Sequence, residues 1–240
     1  MPRLVTLFLF CILFTTRIRN VAIASRFDPD RLRIIDTYAE NVLVRGNVPL
    51  NNKGEFDASM ILKVILENNQ LVGDSKSFSK LIVVTLLSSR SKDEAVVLRE
   101  IRHGITTTTT TSSPVLAELI HNPVAGSWLS LVVPSWVVPV VVDTTGGAWE
   151  LTTTLYNLLR SEQTSSTSGG ATAIYVHCMR GMDRTGLVAG IYSMRYLEYS
   201  LEEAQQANWG VAQRRLQFLE ERSLEAAASS AIRSRRQSQY

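Results

Sequence analysis

The sequence predicts an α/β domain with a central parallel-rich sheet flanked by helices, and three observations predict it. Short apolar runs of strand length alternate with longer segments of helical period. The alternation is strand then helix, which favours crossover connections and parallel pairing. One junction, Thr172–Val176 running through a tight loop into a helical stripe of Leu187, Ile191, Met194 and Leu197, has the strand, loop, helix order of an anion-binding turn.

The elements follow in chain order. Met1-Pro2-Arg3 precedes a run from Leu4 to Phe14 that is apolar apart from Thr6, and Ala22-Ile23-Ala24 has a small-x-small cleavage form. Residues 1–24 therefore read as a secretory signal, since the run is shorter than the roughly 20 apolar residues of a full bilayer span, with an uncleaved anchor as the alternative. The expected compartment is secreted, periplasmic or secretory-pathway lumen, with an intracellular membrane-anchored protein as the alternative. No Asn-x-Ser/Thr sequon adds support for glycosylated export. Cleavage removes Cys11 and leaves Cys178 as the one thiol, with 22 basic against 22 acidic residues. That near-neutral balance, with no basic-aromatic stripe, argues against a nucleic-acid partner, and a membrane is a partner only if the segment is retained.

Residues 25–230 suit one domain with an insertion. Asn52–Glu67, with Phe56, Met60, Ile61, Val64 and Ile65, reads as a helix; Leu81–Leu87 as a buried strand; Ser91–His103 as a helix opened by a Ser91/Glu94 capping box and closed by Gly104. Thr106–Thr111, Ser112, Ser113 and Pro114 are too poor in apolar side chains to bury. The stretch from 106 to about 135 is thus expected as a low-complexity surface excursion with Trp128 and Trp136 packing at its base. Ala148–Arg160 reads as a helix, Ser200 and Glu203 as a second capping box whose helix Gly210 stops, Val211–Ser229 as another helix, and residues 231–240 as a disordered basic tail.

The chemistry concentrates in His177-Cys178-Met179-Arg180-Gly181-Met182-Asp183-Arg184-Thr185-Gly186. A strand feeds this loop and a helix drains it, so the amides of Met179, Arg180, Gly181, Met182, Asp183 and Arg184 can converge on one anion, with the helix dipole behind them. Cysteines placed at helix N-termini beside cations ionise at roughly pH 3.5 to 7.5 rather than about 8.5, which makes Cys178 a candidate nucleophile. Arg184 offers a planar fork suited to two phosphoryl oxygens. Thr185 can place a hydroxyl near the sulfur and His177 can fix the loop through its ring. Arg180 contacts substrate or is a solvated charge. His103 and His121 have no metal-ligand spacing with a cysteine and read as surface or helix-end residues.

These residues resemble the protein tyrosine phosphatase superfamily, whose signature is His-Cys, five residues, Arg, then Ser or Thr. The Gly-x-Asp-Arg-Thr-Gly ending is most similar to small dual-specificity-type phosphatases. Asn41–Pro49 resembles the family's early strand and Arg-Ser-Gly-x-Pro turn, with Arg45 either closing the pocket floor through a salt bridge or exposed. Leu81–Ile105 resembles its strand, Leu-Arg turn and acidic helix, although Ser88-Ser89-Arg90 replaces the usual Leu-Arg ending. The resemblance implies a cysteine-phosphatase fold, no metal or cofactor, and a general acid on a mobile loop some thirty-odd residues before the cysteine. Asp143, at the end of the apolar run Trp136–Val142, is the first candidate, with Gly146 and Gly147 as hinges; Asp183 in the loop is the second. Asp143 also reads as a turn former at a strand end, and Asp183 as a loop brace.

The expected activity is hydrolysis of phosphotyrosine in protein, with phosphoserine and phosphothreonine as further substrates, through a phosphocysteine. The expected partner is a phosphoprotein or a phosphorylated small molecule. The alternatives are a phosphoinositide or inositol phosphate phosphatase, disfavoured because Arg180 is the loop's one extra cation, and an inactive phosphate-binding module. An arsenate reductase-like enzyme that resolves internally needs further cysteines, which the mature chain lacks.

Overall fold

In a computed structural model the chain is described at residues 26–68, 77–110, 115–124, 147–161, 170–212, 224–225 and 227–229. The expected signal segment, Trp128, Trp136, Asp143 and the basic tail lie outside the described residues. After a 3-10 turn, Pro29–Arg31, the elements are β1 (Arg33–Tyr38), β2 (Asn41–Gly46), α1 (Ala58–Asn68), β3 (Phe78–Thr85), α2 (Lys92–Thr110), β4 (Leu116–His121), α3 (Gly147–Arg160), β5 (Ala171–His177), α4 (Asp183–Tyr196) and α5 (Leu201–Ala212).

Five strands form one sheet in the order β1-β2-β5-β3-β4, parallel except for the antiparallel edge strand β1. All seven residues of β5 are buried, as expected of a strand covered on both faces. Alternation then divides the core in two. Val42, Val44, Leu81, Val83, Ala173 and Tyr175 face α1 and α2, where Ile61, Ile65 and Ile101 pack. Leu43, Ile82, Val84, Ile174 and Val176 face the other side, with Leu151, Leu155, Val188 and Ile191 of α3 and α4.

The register sets up the site. Gly46, His177 and Thr85 lie in one row across β2, β5 and β3, and Thr85 pairs with His121 of β4. The segments leaving these four residues emerge side by side at the carboxyl ends of the parallel strands, where ligands bind in open α/β sheets.

Several boundaries depart from the sequence reading. Asn52–Asp57 is not helical: Leu50 bridges Phe56 and the helix starts at Ala58. Gly104 does not close α2, which runs on to Thr110. A Cβ at Gly104 would lie 2.5 Å from that of Phe56, so this glycine serves close packing rather than a cap. The Thr106 and Thr107 hydroxyls donate back to the carbonyls of Arg102 and His103, at 2.9 and 3.0 Å, which removes competing donors from solvent.

The expected excursion from residue 106 is corrected in the same region. Leu116–His121 is a sheet strand, because Ala117 and its neighbours pair in register with Lys80–Thr85 and the polar composition on either side hid a short half-buried run. Gly210 lies inside α5 rather than ending it. The Ser200/Glu203 box is as expected: Glu203 accepts from Ser200 N at 2.7 Å and donates its own N–H to Ser200 Oγ at 3.2 Å.

Candidate active site

The loop after β5 is shaped by what holds its carbonyls. His177 Nδ1 lies 3.3 Å from the Cys178 carbonyl. Val48 N donates to Met179 O at 3.3 Å, Arg31 Nη1 to Arg180 O at 2.7 Å, and Arg45 Nη2 to Gly181 O at 3.0 Å and Met182 O at 3.4 Å. Gly186 N, in the first turn of α4, also donates to Met182 O at 2.8 Å. Every carbonyl from Cys178 to Met182 thus has a donor, drawn from β2 and its turn, the 3-10 turn, the His177 ring or α4. One peptide N–H of the loop faces the sulfur, as an anion nest requires: Gly181 N donates to Cys178 Sγ at 3.2 Å.

Gly181 permits the bend. Its φ is +70°, a region that side chains rarely adopt, and a Cβ there would meet the Gly46 carbonyl oxygen at 2.5 Å and Asn47 N at 2.7 Å. The loop therefore rests directly on the backbone of the β2 turn. That turn is fixed in its own right: Tyr175 Oη donates to Asn47 O at 2.7 Å, and Asn47 Oδ1 accepts from Asp28 N at 2.9 Å. Asp28 Oδ2 in turn orients Arg31, at 3.0 Å, toward the loop.

Arg184 is clamped by Glu94 and the Leu86 carbonyl, neither of which the sequence marked as part of the site. Its Nη2 and Nη1 reach Glu94 Oε1 and Oε2 at 2.5 and 3.0 Å, a two-pronged ion pair, and Nη1 also donates to Leu86 O at 3.1 Å. Glu94 Oε2 receives Ser88 N–H at 2.6 Å. The sequence had assigned Glu94 to a capping box with Ser91; its carboxylate instead joins the β3–α2 turn to the loop arginine. His121 steadies the same turn, with Nε2–H donating to Leu87 O at 2.8 Å and Nδ1 facing Arg102 Nη2 at 3.3 Å. It is half-buried and partnered, not an idle surface residue.

His177 is wholly enclosed, and burial first, with Arg184 nearby, lowers its pKa from 6.5 to about 3 despite the opposing hydrogen bond to Cys178 O. A carbonyl can only accept, so Nδ1 carries the proton and Nε2 is bare. The ring thus lies against the first carbonyl of the loop.

Arg45 is buried, not exposed, and acts through carbonyls and the Asn208 side chain rather than a salt bridge. Thr185 is buried, but its Oγ1 makes no hydrogen bond to the sulfur or to any other described atom. Arg45 Nε, His177 Nε2 and Thr185 Oγ1 are the buried side-chain polar atoms without a partner among the described residues, and all three belong to this loop or its support. Buried polar groups are ordinarily satisfied, so their gathering at one loop sets it apart from the rest of the described core. Arg180 has an exposed side chain, and Asp183, half-buried, opens α4 beside Arg184. Cys178, 4% exposed, lies at the floor. What the arrangement can do is hold a tetrahedral oxyanion over a thiol.

No family model and no curated protein matches the sequence. Among solved structures the chain is similar to Tk-PTP in the active form, at 17% identity over 83% of this chain and 97% of that one, with a TM-score of 0.40. It is also similar to PTPMT1 in complex with PI(5)P, at 12% identity over 85% and 97%, TM-score 0.42. A third is the core catalytic domain of the PP-IP phosphatase SIW14 from S. cerevisiae in complex with citrate, at 14% identity over 81% and 83%, TM-score 0.37.

Proposed function

We propose that the chain is a cysteine-dependent phosphomonoesterase acting on phosphotyrosine in proteins. The observation that carries the reading is the loop whose carbonyls are all engaged while the Gly181 N–H turns inward to Cys178 Sγ. Such a cradle stabilises the charge of a phosphoryl group through its transfer, the main contribution a protein can make to this reaction.

Cys178 Sγ attacks phosphorus as the P–O bond to the leaving alcohol or phenol breaks, giving a phosphocysteine. A carboxylic acid protonates the departing oxygen; Asp143 is the first candidate and Asp183 the second. Water, losing a proton to the same carboxylate, then displaces the thiolate and releases phosphate. Arg184, oriented by Glu94, brings its guanidinium charge to the equatorial oxygens. Thr185 Oγ1, buried and without a partner, is available to the sulfur as it regains charge.

A panel of phosphotyrosine, phosphoserine and phosphothreonine peptides, phosphoinositides and an aryl phosphate tests the reading, with Cys178→Ser beside the unmodified chain. Turnover of the aryl phosphate and phosphotyrosine peptides that vanishes in the serine variant is expected. Preference for phosphoinositides would move the substrate assignment to the lipid alternative, and undiminished turnover by the serine variant would dismiss the mechanism.

A further inference from the structure

Arg45 brings a positive charge under the loop with a partner that does not cancel it. Buried guanidinium groups are ordinarily paired with carboxylates. Arg45 is 4% exposed, yet no carboxylate of the described residues lies within ion-pair distance of it. Its Nη2 faces the Gly181 and Met182 carbonyls, and its Nη1 donates to Oδ1 of Asn208 on α5. Asn208 is itself 2% exposed, and its amide is oriented without ambiguity because Nδ2 donates to Gly186 O at 3.0 Å. One neutral side chain thereby joins β2, the loop and the first turn of α4.

The consequence is electrostatic. The Gly181 carbonyl shares a peptide unit with the Met182 N–H, and the Met182 carbonyl with the Asp183 N–H; a cation on the carbonyl side polarises each unit toward the concave face. Burial lowers the Arg45 pKa from 12.5 to about 10, with Cys178 opposing the shift and Arg33 adding to it, so the guanidinium stays charged at neutral pH. Its field is therefore directed to the loop rather than spent on a counter-ion.

We propose that Asn208 is a positioning residue for the phosphate loop, whose neutral amide fixes Arg45 beneath Gly181 and Met182 while leaving the guanidinium charge to act on the bound oxyanion. The proposal rests on the phosphatase reading of the loop. It predicts a result that a merely structural role does not: an aspartate at this position should pair better with Arg45 and yet serve the site worse.

The test uses the full chain, with vanadate as the oxyanion probe, an aryl phosphate as substrate, and the variants Asn208→Asp and Arg45→Gln. For Asn208→Asp, the vanadate inhibition constant is expected to rise about tenfold or more, the scale of one charge interaction at an effective dielectric near 20. Its new carboxylate oxygen faces the Gly186 carbonyl to which Asn208 Nδ2 donates, so its thermal midpoint is expected to fall although the pair with Arg45 gains a charge. Arg45→Gln, which keeps amide donors but removes the charge, should weaken vanadate similarly. An Asn208→Asp protein that folds and binds vanadate like the unmodified chain overturns the proposal, as does an Arg45→Gln protein that folds and binds vanadate undiminished. If the unmodified chain neither cleaves the aryl phosphate nor binds vanadate, the phosphatase reading falls first and takes the proposal with it.

Discussion

Replacing Glu94 by Gln leaves the shape of the β3–α2 turn and removes the charge that holds Arg184. The side chains of Arg184 and Glu94 are 13% and 15% exposed, so the pair lies where solvent screening is weak. Two Arg184 bonds go to this carboxylate and a further one to Leu86 O, and Glu94 also carries Ser88 N–H. Glutamine keeps one carbonyl oxygen, but its amide nitrogen is a donor facing donors. Hydrogen bonds to charged groups are worth about 1.5–3 kcal/mol each, and removing one partner of a buried pair costs about 3–5 kcal/mol. Because glutamine retains one acceptor, a loss of about 2–3 kcal/mol is expected. For a chain of this size each kcal/mol shifts the midpoint by about 2–4 °C, which calorimetry resolves. With the guanidinium free to leave the equatorial oxygens, kcat/KM should fall about 10²–10³-fold, the range seen when one oxyanion donor is removed. A variant with unchanged midpoint and unchanged kcat/KM would refute the clamp, and one that loses stability while keeping full activity would confine Glu94 to a structural part.

Three other outcomes are expected. Cys178→Ser should abolish turnover while retaining vanadate binding, measured by calorimetric titration, because the amides and Arg184 remain; loss of binding along with turnover would mean the sulfur itself builds the cradle. Gly181→Ala should lower stability by at least about 1–3 kcal/mol and activity with it, since neither φ +70° nor the backbone of Gly46 can yield; a wild-type denaturation curve would contradict this. Asp143→Ala and Asp183→Ala, compared on an aryl phosphate with a good leaving group and an alkyl phosphate with a poor one, should separate acid from brace: only loss of the acid affects the alkyl substrate far more, and equal effects on both substrates in both variants would exclude either as the proton donor.

The candidate loop was legible because its identities are local. His177, Cys178, Gly181, Arg184 and Thr185 fall within ten residues, and the strand and helix around them appear where apolar spacing put them. Much of what supports the loop was not legible, because those bonds join residues far apart in sequence. Glu94 and Arg184 are 90 positions apart, and Arg45 and Asn208 are 163 apart. Glu94 carried a local signal, its spacing from Ser91, that pointed to a helix cap and masked its tertiary partner. Leu116–His121 failed for the opposite reason: threonine-rich composition upstream outweighed six residues whose burial comes from pairing with β3.

The pH response of folding follows from His177 and gives an independent check on the loop. In the folded chain its pKa is lowered to about 3, against about 6.5 when unfolded. Between those values the unfolded state binds a proton that the folded state refuses, so this residue's contribution is complete above pH 6.5 and is lost as pH falls toward 3, at about 1.4 kcal/mol per pH unit. Asparagine can imitate the Nδ1–H bond to Cys178 O without a basic nitrogen. The difference in unfolding free energy between His177→Asn and the unmodified chain, measured by denaturant titration from pH 7.5 to 4.5, should therefore shrink with falling pH and reverse if the substitution's packing cost is small. A difference that stays constant across that range would mean that the ring is reached by solvent on acidification. The enclosed row of Gly46, His177 and Thr85, on which the loop is built, would then be less rigid than its hydrogen bonds require.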